Sequence, residues 1–343
     1  MEIIKYPQKS EWEKLCLRPT KDTKSLTASV SSIIERVKNE GDVALRLFCQ
    51  EFDGYVPENF RVSDADINES EHKISPLLKQ AIEQAKRNIT IFHAEQLLEE
   101  KRIQTTSGVV CWQKQVAIEK VGLYIPGGSA PLFSTVLMLG IPAKIAECNE
   151  ITICTPANKK GEIHPAILYA AKIIGIRNIF KIGGAQAIAA MAYGTESIPK
   201  VYKIFGPGNQ YVTTAKQLVS LNSVAIDMPA GPSEVAIIAD SGANPIFVAA
   251  DMLSQAEHGI DSQAVLITDN EQLINKVVEE IEKQLSVLPR NEIAKQALEH
   301  SKIILVKDME EAVLESGIWE TNFNGIYLSD HYPVFVNVDL EKI

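Results

Sequence analysis

The runs AIEKVGLYIP (117–126), PLFSTVLMLGIPAKIAEC (131–148), ITICTP (151–156), HPAILYAAKIIGI (164–176), IFKIGG (179–184) and AQAIAAMAYG (185–194) decide the fold. Short stretches rich in Val, Ile and Thr alternate with apolar runs of helical length, the pattern of βαβ units around a parallel sheet. Each strand pair then needs a right-handed crossover. Downstream, VAIIAD (235–240), a helix from Pro245 to about His258, AVLITD (264–269), a helix from about Glu271 to Leu288, and IILVKD (303–308) continue the pattern, so the expected class is α/β with two units. Upstream, residues 25–105 read as helix. KSLTASVSSIIERVKNEGDVALRLFCQEF (24–52) and ISPLLKQAIEQAKRNITIFHAEQLLEEKR (74–102) place apolar residues three and four apart, with Gly41 punctuating the first.

Glycine and proline cluster where the strands end: GLYIPGGSAP (122–131), GGAQ (183–186), FGPGNQ (205–210) and DMPAGPSE (227–234). In open α/β sheets ligands bind at the carboxyl ends of the strands. Backbone N–H groups there, backed by helix N-termini, suit phosphates and other anions. None of the loops is a GxGxxG or a GxxxxGK[ST]. The 343 residues carry a net formal charge of −10, which disfavours a nucleic-acid partner. No window is long and apolar enough to cross a membrane, and MEIIKYPQKSEWEKLC lacks the apolar segment of a signal peptide, so a cytoplasmic location is expected. The five cysteines are scattered without a CxxC, which excludes a disulfide framework and a thiolate zinc cluster.

The polar stretch ADMLSQAEHGIDSQ (250–263) places Gln255 and His258 three apart on a predicted helix that Gly259 ends, with His258 in the last turn. The pair suits one ion or ligand, yet a zinc site normally draws on three protein ligands or more. Read alone, Gln-x-x-His equally fits a capping or core histidine.

In this order and spacing, YIPGGSAPLFSTVLMLGIPAKIAEC (124–148), GGAQAIAAMAYGTESIPKVYKIFGPGNQYVTTAKQ (183–217), IDMPAGPSEV (226–235) and DMLSQAEHGIDSQ (251–263) resemble histidinol dehydrogenases. LRPT (17–20) and NEGDVALRLFCQEFDG (39–54) extend the resemblance to about residues 10–314. It implies a zinc-containing enzyme that oxidises L-histidinol through a bound aldehyde to L-histidine with two NAD molecules, ending histidine biosynthesis. It also implies two Rossmann-like parallel-sheet units with a helical N-terminal part, and a homodimer whose zinc site borrows a histidine from the partner. Carried over by position, Tyr124, Gln186 and Asn209 are the expected NAD-site residues. Ser233 is the expected substrate contact, with Glu234 beside it, and Gln255 and His258 are the expected Zn2+ ligands facing the substrate. The expected organisation is an N-terminal arm (1–24), a discontinuous first α/β unit (25–123 with 234–314), a second unit on the NAD side (124–233), and an atypical tail (315–343).

The resemblance ends after KIILVKDMEEAV (302–313). The family's NxxAPEHL-type segment, whose adjacent Glu and His do acid–base work, has no counterpart. Glu and His are adjacent only at 71–72, 257–258 and 299–300. The tail GIYLSDHYPVFVNV (325–338) instead resembles the closing strand of endonuclease/exonuclease/phosphatase hydrolases, with Asp330 and His331 in reversed order. A truncated or chimeric chain, or a chance match in a divergent tail, would give this pattern. The expectations are a first unit cut short at its C-terminal end with an open sheet edge, no catalytic Glu-His pair, and little or no turnover. The alternative is a chain that binds NAD or histidinol, or pairs with an intact homologue, without catalysis.

Overall fold

The computed structural model describes residues 1–15, 23–127, 131–229 and 234–311. From the N-terminus the chain forms β1 (Glu2–Lys5), α1 (Lys9–Leu15), α2 (Thr23–Glu40), α3 (Asp42–Phe48), a π-helical turn (Cys49–Asp53), α4 (Asp64–Glu69), a 3₁₀ turn (Ser70–Lys73) and α5 (Pro76–Ala94). Gly41 breaks α2 from α3 at φ 56°. A Cβ there would lie 2.4 Å from the Glu196 carboxylate, which accepts the Asp42 N–H. Ser63 and Ser75 cap α4 and α5, each accepting a backbone N–H three residues on, and Pro76 occupies the first turn of α5 where no donor is lost.

The helix expected to reach residue 105 stops at Ala94. RIQTTSGVVCW (102–112) folds instead as an antiparallel hairpin of β2 (Arg102–Thr106) and β3 (Val109–Trp112). Its β-branched residues favour a pleated strand, and Gly108 at φ 79° supplies the left-handed turn.

The sheet that follows is built by β4 (Lys120–Tyr124), α6 (Phe133–Ile145), β5 (Glu150–Thr155), α7 (Pro165–Ile173), β6 (Asn178–Lys181), α8 (Gly184–Tyr193), β7 (Lys203–Phe205), α9 (Gln210–Ser220) and β8 (Ala225–Ile226). The five strands are all parallel in the order β6-β5-β4-β7-β8, so the winding reverses between β4 and β7. Side chains alternate across it. Val121, Leu123, Ile151 and Ile153 enter one core with α4–α7, while Tyr124 and Cys154 enter the other with α2, α3, α8 and α9. Helices on both faces explain why β4 and β5 read as continuous apolar runs.

The chain then adds β9 (Glu234–Ile238), α10 (Pro245–Ala256), β10 (Gln263–Thr268), α11 (Glu271–Val287), α12 (Asn291–His300) and β11 (Lys302–Leu305). Their sheet is parallel in the order β1-β11-β10-β9, and α10–α12 close one face over Leu266, Ile303 and Leu305.

The chain divides into Met1–Lys21 with Ala230–Ile343, and Asp22–Pro229. This division differs from the expected one, which grouped 25–123 with 234–314. Residues 25–123 belong with the five-stranded sheet because the apolar stripes of α2 and α5 pack on α8 and α6, which lie on that sheet. β1 lies parallel on β11, with Glu2 opposite Lys302 and Lys5 opposite Leu305, and the Lys302 ammonium donates to the Leu15 carbonyl. β11 is thereby paired on both sides, and β1 and β9 are the outer strands of this sheet. Residues 312–343, including Asp330 and His331, lie outside the described residues, as does Ser233.

Candidate functional site

The carboxyl ends of the five strands in the Asp22–Pro229 unit share one crest, and the loops leaving β4, β6 and β7 are locked together there. Tyr124, the last residue of β4, is 4% exposed, and its hydroxyl accepts the Gly184 N–H at 3.1 Å. Gly206, just past β7, sits at φ 132° with no room for a side chain, since a Cβ would lie 2.2 Å from the Tyr124 carbonyl oxygen. Pro156, after β5, fills the space where Gly127 and Gly183 would carry a Cβ. The glycines therefore permit loop-on-loop contact at the point where the strand order reverses, the place where open α/β sheets hold ligands.

Burial pushes the Tyr124 phenol up to about 12; the Gly184 hydrogen bond opposes this, and the thiol of Cys154 and the carboxyl of Asp53 add to it. Because the folded-state value is raised above the ordinary 10.0, the associated stability is fully present below pH 10 and is lost as pH climbs from 10 towards 12, at no more than ~1.4 kcal/mol per pH unit. Tyr124→Phe is expected to cost about 1 kcal/mol at pH 7 through the lost hydrogen bond. Its melting temperature should then fall less steeply than that of the parent between pH 10 and 12. Thermal melts of both proteins across that range check this.

Gln186 lies in the first turn of α8, 2% exposed, with its amide folded back over Gly184. The N-cap of α8 is Gly183, so apart from the Tyr124 hydroxyl on the Gly184 N–H no N-cap side chain takes the helix's first donors. Asn209 is the N-cap of α9, and its Oδ1 accepts from both Tyr211 and Val212 N–H at 3.1 Å. The three residues predicted for the NAD site thus stand on one crest, Tyr124 and Gln186 tied through Gly183–Gly184 and Asn209 through the Gly206 turn. A buried hydroxyl, Thr155 Oγ1 at the end of β5, has no hydrogen-bond partner among the described residues. An orphaned polar group of this kind costs ~1–3 kcal/mol unless something satisfies it. An uncapped helix N-terminus, glycine loops at a strand-order reversal and an orphaned hydroxyl fit a dinucleotide with its anionic pyrophosphate.

Gln255 and His258 lie in the other unit. α10 ends at Ala256, so His258 sits in the turn beyond the helix and not in its last turn. It is exposed, and its N–H donates to the Gln255 carbonyl at 3.2 Å. Gln255 is half-buried. Among the described residues no group of three or more His, Cys, Asp or Glu converges. Gln255 and His258 alone, the expected donors among the described residues, would not complete a zinc shell. Glu71 of the first Glu-His pair is ion-paired to Lys172 at 2.7 Å, which holds its carboxyl below the usual range, and Glu299-His300 closes α12. Neither pair lies at a strand carboxyl end.

Burial pushes the Cys49 thiol up to about 12 and the Cys154 thiol higher than its ordinary value, which keeps both protonated and poor as nucleophiles at neutral pH. Sequence reading missed Lys216 and Asp227, which brace the Gly206 turn. Asp227 stood in a quoted loop, but nothing in a helical Lys announces that it is buried.

The family model that matches this chain, described as histidinol dehydrogenase, spans residues 16–319. The chain is 61% identical over 313 residues to the histidinol dehydrogenase of Bacteroides thetaiotaomicron, a match covering 91% of this chain and 73% of that protein. It is 51% identical over 316 residues to that of Yersinia pestis, covering 91% and 70%. The crystal structure of histidinol dehydrogenase from Elizabethkingia anophelis superimposes with a TM-score of 0.89 at 51% identity, covering 93% of this chain and 74% of that one. With a family model matched across most of its length and the fold shared with a solved relative, this chain belongs to the histidinol dehydrogenase family, a family of oxidoreductases.

Proposed function

We propose that the chain takes part in histidine biosynthesis as an NAD-dependent dehydrogenase scaffold for L-histidinol, with the crest of the five-stranded sheet as its cofactor site. The observation that carries the reading is the convergence of the β4, β6 and β7 loops at the β4/β7 reversal, held by the Tyr124–Gly184 hydrogen bond. NAD, when bound, supplies the hydride acceptor for the two successive oxidations, from alcohol to aldehyde and from aldehyde to acid. The uncapped α8 N-terminus would bind the pyrophosphate, and the Gly206 turn would border the dinucleotide. Gln186 and Tyr124 would keep the α8 turn in shape and shield it from water.

Gln255, His258 and Ser233 are the proposed substrate-side residues, with Gln255 and His258 as Zn2+ donors. The described residues do not complete a zinc shell on their own. The homodimer and the cytoplasmic location belong to the same reading. No helix among the described residues is long and apolar enough to cross a membrane.

A second reading, binding without turnover, is favoured by the placement of the Glu-His pairs away from the crest. One assay separates the two: NADH formation by the purified chain with L-histidinol, NAD and added zinc, alongside direct calorimetric titration with NAD. Turnover supports the first reading. Binding without turnover supports the second, and absence of binding rejects both.

A further inference from the structure

The feature of the crest that neither the cofactor residues nor the fold explains is an ion pair between a buried lysine and a half-buried aspartate. Lys216, on α9, is 5% exposed, which is rare for lysine. Its ammonium donates to the Gly206 carbonyl at 2.7 Å and pairs with Asp227 Oδ1. Asp227, just past β8, uses its other oxygen, Oδ2, to accept the Gly206 N–H at 2.8 Å. Both polar groups of one glycine are thus held by two opposite charges that also hold each other. Such a pair is a poor source of stability, because desolvating two ions offsets much of their attraction and apolar replacements are often neutral. What this arrangement does supply is geometry. It fixes the peptide units on both sides of Gly206, at a φ of 132° and against the Tyr124 carbonyl, directly ahead of Pro207, Gly208 and the α9 cap Asn209.

We infer that Lys216 and Asp227 are positioning residues, a charge-neutral clamp that presets the Gly206–Asn209 turn for the dinucleotide while adding no net charge beside its phosphates. This rests on the cofactor reading above. The clamp acts through the turn.

The test uses the whole chain. The double variant Lys216→Met/Asp227→Leu removes the clamp and leaves no stranded charge. It is expected to stay folded with a melting temperature close to the parent's, to bind NAD about tenfold more weakly by calorimetry, and to exchange the amide hydrogens of residues 206 and 208–212 at least tenfold faster. Asp227→Asn separates geometry from charge. It loosens the turn but leaves a lysine cation near the phosphates, so a geometric clamp predicts weaker NAD binding and a charge effect predicts tighter binding. Parent-like NAD affinity in a folded double variant overturns the proposal, as does tighter binding by Asp227→Asn. If the double variant fails to fold, Asp227→Asn decides by the same criterion, unchanged binding also counting against the clamp. If the parent itself does not bind NAD, the cofactor reading fails. Exchange then judges only the positioning of the turn: faster exchange at 206 and 208–212 upholds Lys216 and Asp227 as residues that hold it, and unchanged exchange overturns that too.

Discussion

Purified as these 343 residues, the chain should form NADH from L-histidinol at least about 10²-fold more slowly than an intact relative such as the Bacteroides thetaiotaomicron protein, under identical NAD, zinc and substrate. The figure follows from what the sequence holds. General acid–base catalysis contributes ~10²–10⁴-fold, and the three adjacent Glu-His pairs are occupied elsewhere: 71–72 on a 3₁₀ turn salt-bridged to α7, 257–258 in the turn after α10, and 299–300 at the end of α12. Two donors, Gln255 and His258, should also hold zinc more weakly than a full shell, by more than the ~10–100-fold that loss of an outer-shell partner costs. On the proposed reading NAD binding draws on the sheet crest alone, so it should persist. Steady-state rates measured beside calorimetric NAD titration separate these effects. A rate within tenfold of the relative's would show that other residues move the proton, and Asp330→Ala and His331→Ala would be the next variants to make.

Gly206→Ala should destabilise the Asp22–Pro229 unit by about 3 kcal/mol, combining a backbone conformation L-residues avoid with a methyl forced against a peptide oxygen. The built Cβ lies 2.2 Å from the Tyr124 carbonyl oxygen and 3.0 Å from its carbon. Unlike the tip of a flexible side chain, that carbonyl cannot swing away, because β4 is the central strand, hydrogen-bonded on both sides to β5 and β7. For a unit of this size the loss corresponds to a melting temperature lower by roughly 6–12 °C. NAD affinity should fall with it, since the turn must move away from Tyr124. A change under 2 °C in a calorimetric melt would mean that the turn relaxes freely, and would also count against a rigid Gly206–Asn209 turn. Gly175→Ala is a useful contrast. It has φ 74° but nothing within 4 Å of its Cβ, so only the backbone term applies and the loss should be smaller.

Much of the architecture was legible in the chain because its signals are local. Periodicity and β-branched runs between residues 117 and 194 gave β4, β5 and β6 with α6, α7 and α8 within a few residues, and Gly41 marked the α2–α3 break. The same reasoning failed at 102–112. A helical stretch was extended through an alternating Thr, Val and Ile segment whose Ser-Gly turn makes a hairpin. It also failed at residues 2–5, where four residues become a strand only because β11, three hundred residues away, offers an edge.

The sequence by itself determined the α/β class, the family, and the glycine loops at the strand ends, because strand ends, turn glycines and long motifs are written in contiguous residues. Only the tertiary structure decided how the N-terminal helices divide between the sheets, that Asn209 spends its side-chain oxygen on a helix cap, and that His258 stands beyond its helix. It alone brought Lys216 and Asp227 onto Gly206. The physical reason is the same in each case: burial, and the pairing of charges that burial demands, depends on which distant elements fold against a residue, and no local pattern records that.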